Sequence, residues 1–253
     1  MTDSCIIRHF EHYAELGQDD RELLDSLEKT PKDFSKGQLI WQQGMESDHF
    51  YTVRSGWACS FRNMEDGSRQ VQDLYVPGDI VGLREFAFRR RVSNLLTVTN
   101  TTLCPFPKNR LTDVFSTSRL LCNLFFLIAA RDQAILVERL INLGRRTARE
   151  KVAHFLLEMA HRLDKACMDV HDCNHLPLTQ VLLADALGMS TVHANRTLNE
   201  LKQESLTALG PDGITLLDRD GLKDVAGFDP EYLDADVEGL LKNIGAPASS
   251  QPA

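Results

Sequence analysis

Five side chains near the C-terminal end of this chain have the types and spacing needed to read a double helix: Thr191, Val192, His193, Asn195 and Arg196. Set within six consecutive positions, they fall in the first turns of a helix, the part that enters a major groove. An arginine there can pair bidentately with guanine. Thr179, at the start of the preceding helix, and Lys202, near the end of this one, complete the candidate DNA contacts.

The elements that must position them are legible in the apolar pattern. Residues 179–187 carry Val181, Leu182, Ala184 and Leu187, and Gly188 then stops that helix where a positive φ is cheap. A second helix begins at a hydroxyl cap, Ser190 or Thr191, and runs to about Gln203 with Ala194, Leu198 and Leu201 on its inward stripe. An ordinary helical hairpin with a solvated outer face has the same spacing. Residues 204–226 separate the two, because they place Gly210-Pro211-Asp212-Gly213 between two short strand-like runs, the pattern of a winged hairpin.

The stretches LADALGMSTVHANRTLNEL and LTALGPDGITLLD resemble the Crp/Fnr family of bacterial transcription regulators, and the resemblance extends over nearly the whole chain. It implies an α+β chain: an N-terminal jelly-roll β-barrel sensor like those that bind cyclic nucleotides, a long dimerisation helix, and a C-terminal winged helix-turn-helix. The family's three base-facing positions correspond here to Thr191, Val192 and Arg196. Only the arginine matches, and the acidic reader of many relatives is absent, so the half-site is expected to differ from theirs.

Length and charge bound this reading. At 253 residues the chain has room for two domains, each with a core. A net charge of −8 argues against a surface that traps nucleic acid everywhere. Between residues 176 and 206, Arg196 and Lys202 stand against Asp185, Glu200 and Glu204, so the reading head is not basic. Arg145, Arg146, Arg149 and Lys151 form a basic cluster just before it, suited either to phosphate contacts or to a solvated helix start.

Residues 21–28 read as a helix that ends before Pro31. From Phe34 to Phe106, glycines at 37, 44, 56, 67 and 78 punctuate short strand-like runs, the rhythm of a β-sandwich or barrel. A helical region comes next, over residues 108–163. Leu120, Leu124, Leu127, Ile128, Ile135, Leu136, Leu140 and Ile141 crowd it on more than one side, so it is expected to be buried all round, with a symmetry mate on one face and the barrel on the other. Leu120, Leu124, Leu127, Ile128 and Ile135, with Arg131 and Glu138 setting register, are the expected dimer interface. Gly144 is the expected hinge. The expected domains are the sensor at 1–107, dimerisation helices at 108–144, the winged helix-turn-helix at 145–228, and an acidic, partly disordered tail at 229–253.

Relatives that bind cyclic nucleotides hold the phosphate with an Arg-Ser pair and the ribose with a glutamate, in a cassette after the last barrel turn. Here that stretch is GDIVGLREFAFRRRVSNLLTV. Counting back from the next strand puts Ser93 or Asn94 where the arginine belongs. Glu85 can stand in for the ribose glutamate, while Arg89, Arg90 and Arg91 sit off the pattern and read more readily as a solvated surface loop. The candidate effector pocket is therefore Gly82, Arg84, Glu85, Arg91, Ser93 and Asn94, its effector unknown and not expected to be cyclic AMP.

Oxygen-sensing relatives carry closely spaced N-terminal cysteines, where this chain offers only Cys5, so no iron-sulfur cluster is expected. Cys167, His171, Cys173 and His175 match no standard zinc module and read as a polar loop, so no metal is expected. With six dispersed cysteines and no signal pattern, a reducing cytoplasm and no disulfide scaffold are expected. The most apolar segment, residues 120–130, falls short of the ~20 residues that span a bilayer. No nucleophile elbow, Walker loop or dinucleotide fingerprint is present, which argues against an enzyme. The expected function is a homodimeric transcription regulator on palindromic double-stranded DNA, working with RNA polymerase. The rival is an interaction protein that keeps barrel and dimer but has lost specific DNA binding.

Overall fold

The computed structural model describes residues 4–11, 13–166 and 173–234. Two short helices, α1 (Cys5–Glu11) and α2 (Gln18–Leu27), precede eight strands: β1 (Lys32–Phe34), β2 (Leu39–Trp41), β3 (His49–Ser55), β4 (Ala58–Asn63), β5 (Arg69–Tyr75), β6 (Ile80–Val81), β7 (Asn94–Thr97) and β8 (Thr101–Pro107). They pair antiparallel in two four-stranded sheets, β1-β8-β3-β6 and β2-β7-β4-β5. Trp41, Val53, Tyr75, Leu95 and Leu103 fill the space between them. The turns coincide with the glycines. Gly56, between β3 and β4, has φ +78°, and a Cβ there would meet the Asn100 carbonyl oxygen at 2.1 Å, so no side chain fits.

After the barrel come α3 (Leu111–Thr117) and the 27-residue α4 (Arg119–Arg145), started by the Ser118 hydroxyl accepting from the Leu121 amide. α5 (Ala148–Ala166), β9 (His175–Leu176), α6 (Gln180–Leu187), α7 (Thr191–Gln203), β10 (Thr207–Gly210), β11 (Gly213–Leu216) and α8 (Arg219–Ala226) build the second domain. Its small sheet runs β10-β11-β9. Val152, Leu156 and Met159 of α5 share one apolar core with Leu183, Leu198 and Leu216 of the domain and with Phe61, Val71 and Leu74 of the barrel.

Several expectations need correction. Cys5 and Cys104, 99 residues apart, form a disulfide that ties α1 to β8. Helix α4 passes through Gly144, and the elbow lies at Arg146, whose backbone is extended. The start of the acidic tail is ordered: a turn of 3-10 helix at Glu231–Leu233 docks on α5, where Lys165 Nζ donates to the Leu233 carbonyl at 2.8 Å. The remainder of the tail, and Cys167 and His171 of the polar loop, lie outside the described residues. His175 instead sits in β9, with Nδ1 3.1 Å from the Thr215 hydroxyl.

Helix α4 buries one apolar face in its own chain and leaves a second apolar face outside, and what needs correcting is which residues lie on which face. Leu124 and Ile128 pack with Phe10, Phe50 and Phe106 in a core made by α1, the barrel and α4 itself, and Ile135 is equally buried. Leu120 and Leu127 are half-buried. Arg131 donates to the Tyr13 hydroxyl at 2.8 Å, and Glu138 pairs with Arg146 at 2.6 Å. A residue consumed by its own chain's core or ion pairs is not available to a partner. What α4 leaves outside is a different stripe: Phe126, Gln133 and Leu140, seven apart, with Leu136, Val137 and Ile141 beside them. By length and composition alone α4 is apolar enough to cross a membrane, contrary to the shorter run read from sequence. Its inward face is taken by the barrel, however, and its middle carries Arg131, Asp132, Glu138 and Arg139.

Candidate nucleic-acid interface

Thr179 caps α6, its hydroxyl accepting from the Leu182 amide at 3.1 Å, and Gly188 closes that helix at φ +59°. The Ser190 hydroxyl accepts from the His193 amide at 3.2 Å and starts α7. Ala194, Leu198 and Leu201 are fully buried, which fixes the rotation of α7 about its axis. That rotation leaves Thr191, Val192, Arg196, Asn199 and Lys202 exposed and Asn195 half-buried. Val192 is 82% exposed, an unusual setting for a β-branched apolar side chain and one suited to a thymine methyl.

The structure therefore gathers Thr191, Val192, Asn195 and Arg196 on one outward face. Among the described residues the ion pair of Arg196 is with Glu200, at 3.8 Å, and both are exposed. His193 turns toward the half-buried flank, Thr179 serves as a cap, and Lys202 lies two turns further along. Asn199 was missed. It donates to the Asn195 side-chain oxygen at 3.1 Å, and its spacing, one turn beyond Asn195, was the available signal. The basic cluster before the helix-turn-helix is partly spent, since Arg146 pairs with Glu138 and Arg149 pairs with Glu204 at the end of α7.

The effector cassette is closed on itself. Glu85 and Arg91 are both buried and 3.1 Å apart. Glu85 also accepts from the Val92 amide at 3.2 Å and the Ser93 hydroxyl at 3.0 Å. The Arg91 guanidinium lies 3.9 Å from the centre of the Trp41 ring and donates to the His49 carbonyl. Gly82 permits this, because a Cβ there would come within 3.0 Å of Arg91 Nη1. Asn94 holds the Gln43 amide and the Phe61 carbonyl. Thus the buried arginine is Arg91, while Arg89 and Arg90 are exposed as a solvated loop requires. Arg84 leaves this group and donates to the Ser60 hydroxyl at 2.7 Å.

Charge also runs between the domains. Arg139 lies 2.7 Å from both Asp73 and Glu158, and Arg162 lies 2.7 Å from Asp79. Burial, with the neighbouring Asp73 charge next in size, pushes the Asp132 carboxyl up to about 7. Arg69 reaches from β5 to Asp185 of α6 at 2.6 Å. No sequence signal announced that pair, which joins residues 116 apart.

A jelly-roll barrel, a long helix and a winged helix-turn-helix with an outward polar reading face define a DNA-binding regulator with a sensor domain. Residues 31–118 match the cyclic nucleotide-binding domain family, and residues 150–225 match the Crp-like helix-turn-helix domain. The chain is 31% identical over 240 residues to the transcriptional activator protein FnrL of Cereibacter sphaeroides, spanning 90% of this chain and 92% of that one. It is 28% identical to the transcriptional activatory protein AadR of Rhodopseudomonas palustris, over 85% and 88% of the two chains. The solved structure of FixK2 from Bradyrhizobium japonicum shares the fold at a TM-score of 0.69 and 22% identity, covering 79% of this chain and 98% of that one. The chain belongs to the Crp/Fnr family of transcription regulators.

Proposed function

We propose that this regulator acts in the cytoplasm as a homodimer, not as an enzyme, and reads a palindromic site whose half-sites lie about one helical turn, ~34 Å, apart. The observation that carries the reading is the outward face of α7, held in place by the buried stripe Ala194, Leu198 and Leu201. The dimer forms through the exposed α4 stripe of Phe126, Leu136, Val137, Leu140 and Ile141, because apolar side chains three and four residues apart and left open to water fit a parallel helix pair. Two relatives named as activators support RNA polymerase as a partner. The domains divide at the barrel's exit near Pro107 and at the Arg146 elbow. Cyclic AMP is not the effector, since the one buried cassette arginine is already neutralised by Glu85.

The test is selection of bound sequences from a random-site library, followed by titration of the selected and a scrambled duplex. Arg196→Ala is expected to weaken specific binding by about 1 to 3 kcal/mol and to relax one position of the site. Equal loss on both duplexes counts against base readout, and failure to enrich any sequence supports the rival interaction protein.

A further inference from the structure

A cavity of about 290 Å³ lies outside the cassette, between β5 of the barrel, the second half of α4, α5 and the end of α6. Leu136, Leu140 and Leu143 line it from α4, Phe155 from α5 and Leu187 from α6. Its charged wall holds Arg84, Arg139 and Asp73. Two of these three are matched within the protein. Arg139 is bracketed by Asp73 and Glu158, and Asp73 is shared with Arg162.

Arg84 differs. Its hydrogen-bond partners among the described residues are neutral: the Ser60 hydroxyl at 2.7 Å and the Gln72 amide oxygen at 3.4 Å. A half-buried guanidinium offers five donors in a planar fork, and two neutral acceptors on one nitrogen leave the others open to a carboxylate. The charges of Asp73 and Glu85 favour the Arg84 cation from nearby, but neither acid hydrogen-bonds to it, and Asp73 is engaged by Arg139 and Arg162.

We propose that this cavity is a binding site for a small organic monoanion, with a carboxylate on Arg84 and an apolar body against Leu136, Leu143, Phe155 and Leu187. The volume sets the size. At roughly 30 Å³ for each water-sized group, it takes on the order of ten non-hydrogen atoms, the lower end for ligand pockets. The walls set the consequence, because one ligand touches the barrel, α4 and the helix-turn-helix together. The Arg69–Asp185 pair and the hydrogen bond from Gln70 to the Ala186 carbonyl close the same seam. Filling the cavity therefore changes how firmly α6 is held against β5, and with it the placing of α7. Leu136 and Leu140 also belong to the outward α4 stripe, so the cavity adjoins the proposed dimer seam.

The test uses the full chain, with phenylacetate and hexanoate as probes and 2-phenylethanol and 1-hexanol as their neutral counterparts. Calorimetry and thermal melting are read without DNA, so the result is independent of the DNA-binding reading. Both acids are expected to bind and raise the melting temperature, and each alcohol to bind at least about tenfold more weakly. Arg84→Met is expected to erase that preference, and Arg84→Lys to keep part of it. Ala186→Met, which adds bulk at the lining without touching charge, is expected to block both probes while circular dichroism stays unchanged. A parallel titration of labelled operator duplex is expected to show a severalfold shift in DNA affinity with either acid. Absence of binding by both acids, equal binding by acids and alcohols, or undiminished binding to both Arg84→Met and Ala186→Met overturns the proposal.

Discussion

At the scale of single residues, the most consequential feature is the buried pair that Glu85 forms with Arg91 inside the candidate effector cassette. Removing one partner of a buried pair leaves the other charge unsolvated, so Glu85→Ala is expected to lower unfolding stability by about 3 to 5 kcal/mol in a urea titration. Cyclic AMP is expected to give no binding heat with the parent chain. Micromolar binding that vanishes in Glu85→Gln would restore a nucleotide switch. Asp132 makes a separate prediction. Its carboxyl titrates near 7 in the folded chain against an ordinary value of 3.8, because burial and Asp73 and Asp79 outweigh Arg131 and Arg162. The folded state thus holds a proton that the unfolded chain has released, and stability falls as pH rises from about 4 to about 7. Asp132→Asn is expected to flatten that slope and to raise the urea midpoint at pH 8 relative to the parent. An unchanged slope would place the titration elsewhere.

At the scale of elements, α4 separates two kinds of apolar residue that the sequence mixes. Phe126→Glu and Leu140→Glu are expected to give folded monomers with weak operator binding, checked by light scattering and circular dichroism. Ile128→Glu and Ile135→Glu are expected to lower stability by several kcal/mol instead, since they put a charge into the chain's own core. An intact dimer in both outward variants would move the seam off this stripe. The reason the inward residues look like a seam from sequence is physical. A helix that packs on a barrel with one face and on a mate with another is apolar on both, and periodicity carries no label saying which face meets which neighbour. The helix-turn-helix was legible for the opposite reason: Gly188, the Ser190 cap and the Ala194-Leu198-Leu201 stripe are local signals that fix geometry without distant partners. Contacts that depend on the tertiary fold were not legible, as Cys5 with Cys104 and Arg69 with Asp185 both show.

At the scale of the whole molecule, the question is how a chain of net charge −8 approaches a polyanion. A dimer doubles that charge, and at low ionic strength the acidic body opposes encounter with DNA beyond the reach of any contact. Affinity then rests on a few local cations, and some of these are held in reserve. Arg149, at the start of α5, forms a two-pronged pair with Glu204 just beyond α7, and both side chains are substantially exposed. An exposed pair of this kind contributes little to folding, so breaking it costs little stability. Glu204→Gln frees Arg149 for a phosphate on the flank of the site. Affinity is expected to rise equally on the selected and the scrambled duplex, and the plot of log K against log salt to steepen by about 0.9 for each phosphate gained per bound chain. Arg149→Gln in the same background is expected to return the slope to its starting value. If Glu204→Gln tightens only the specific duplex, or leaves the slope unchanged while the melting temperature holds, Arg149 faces away from the DNA and its pair with Glu204 is a brace between α5 and α7.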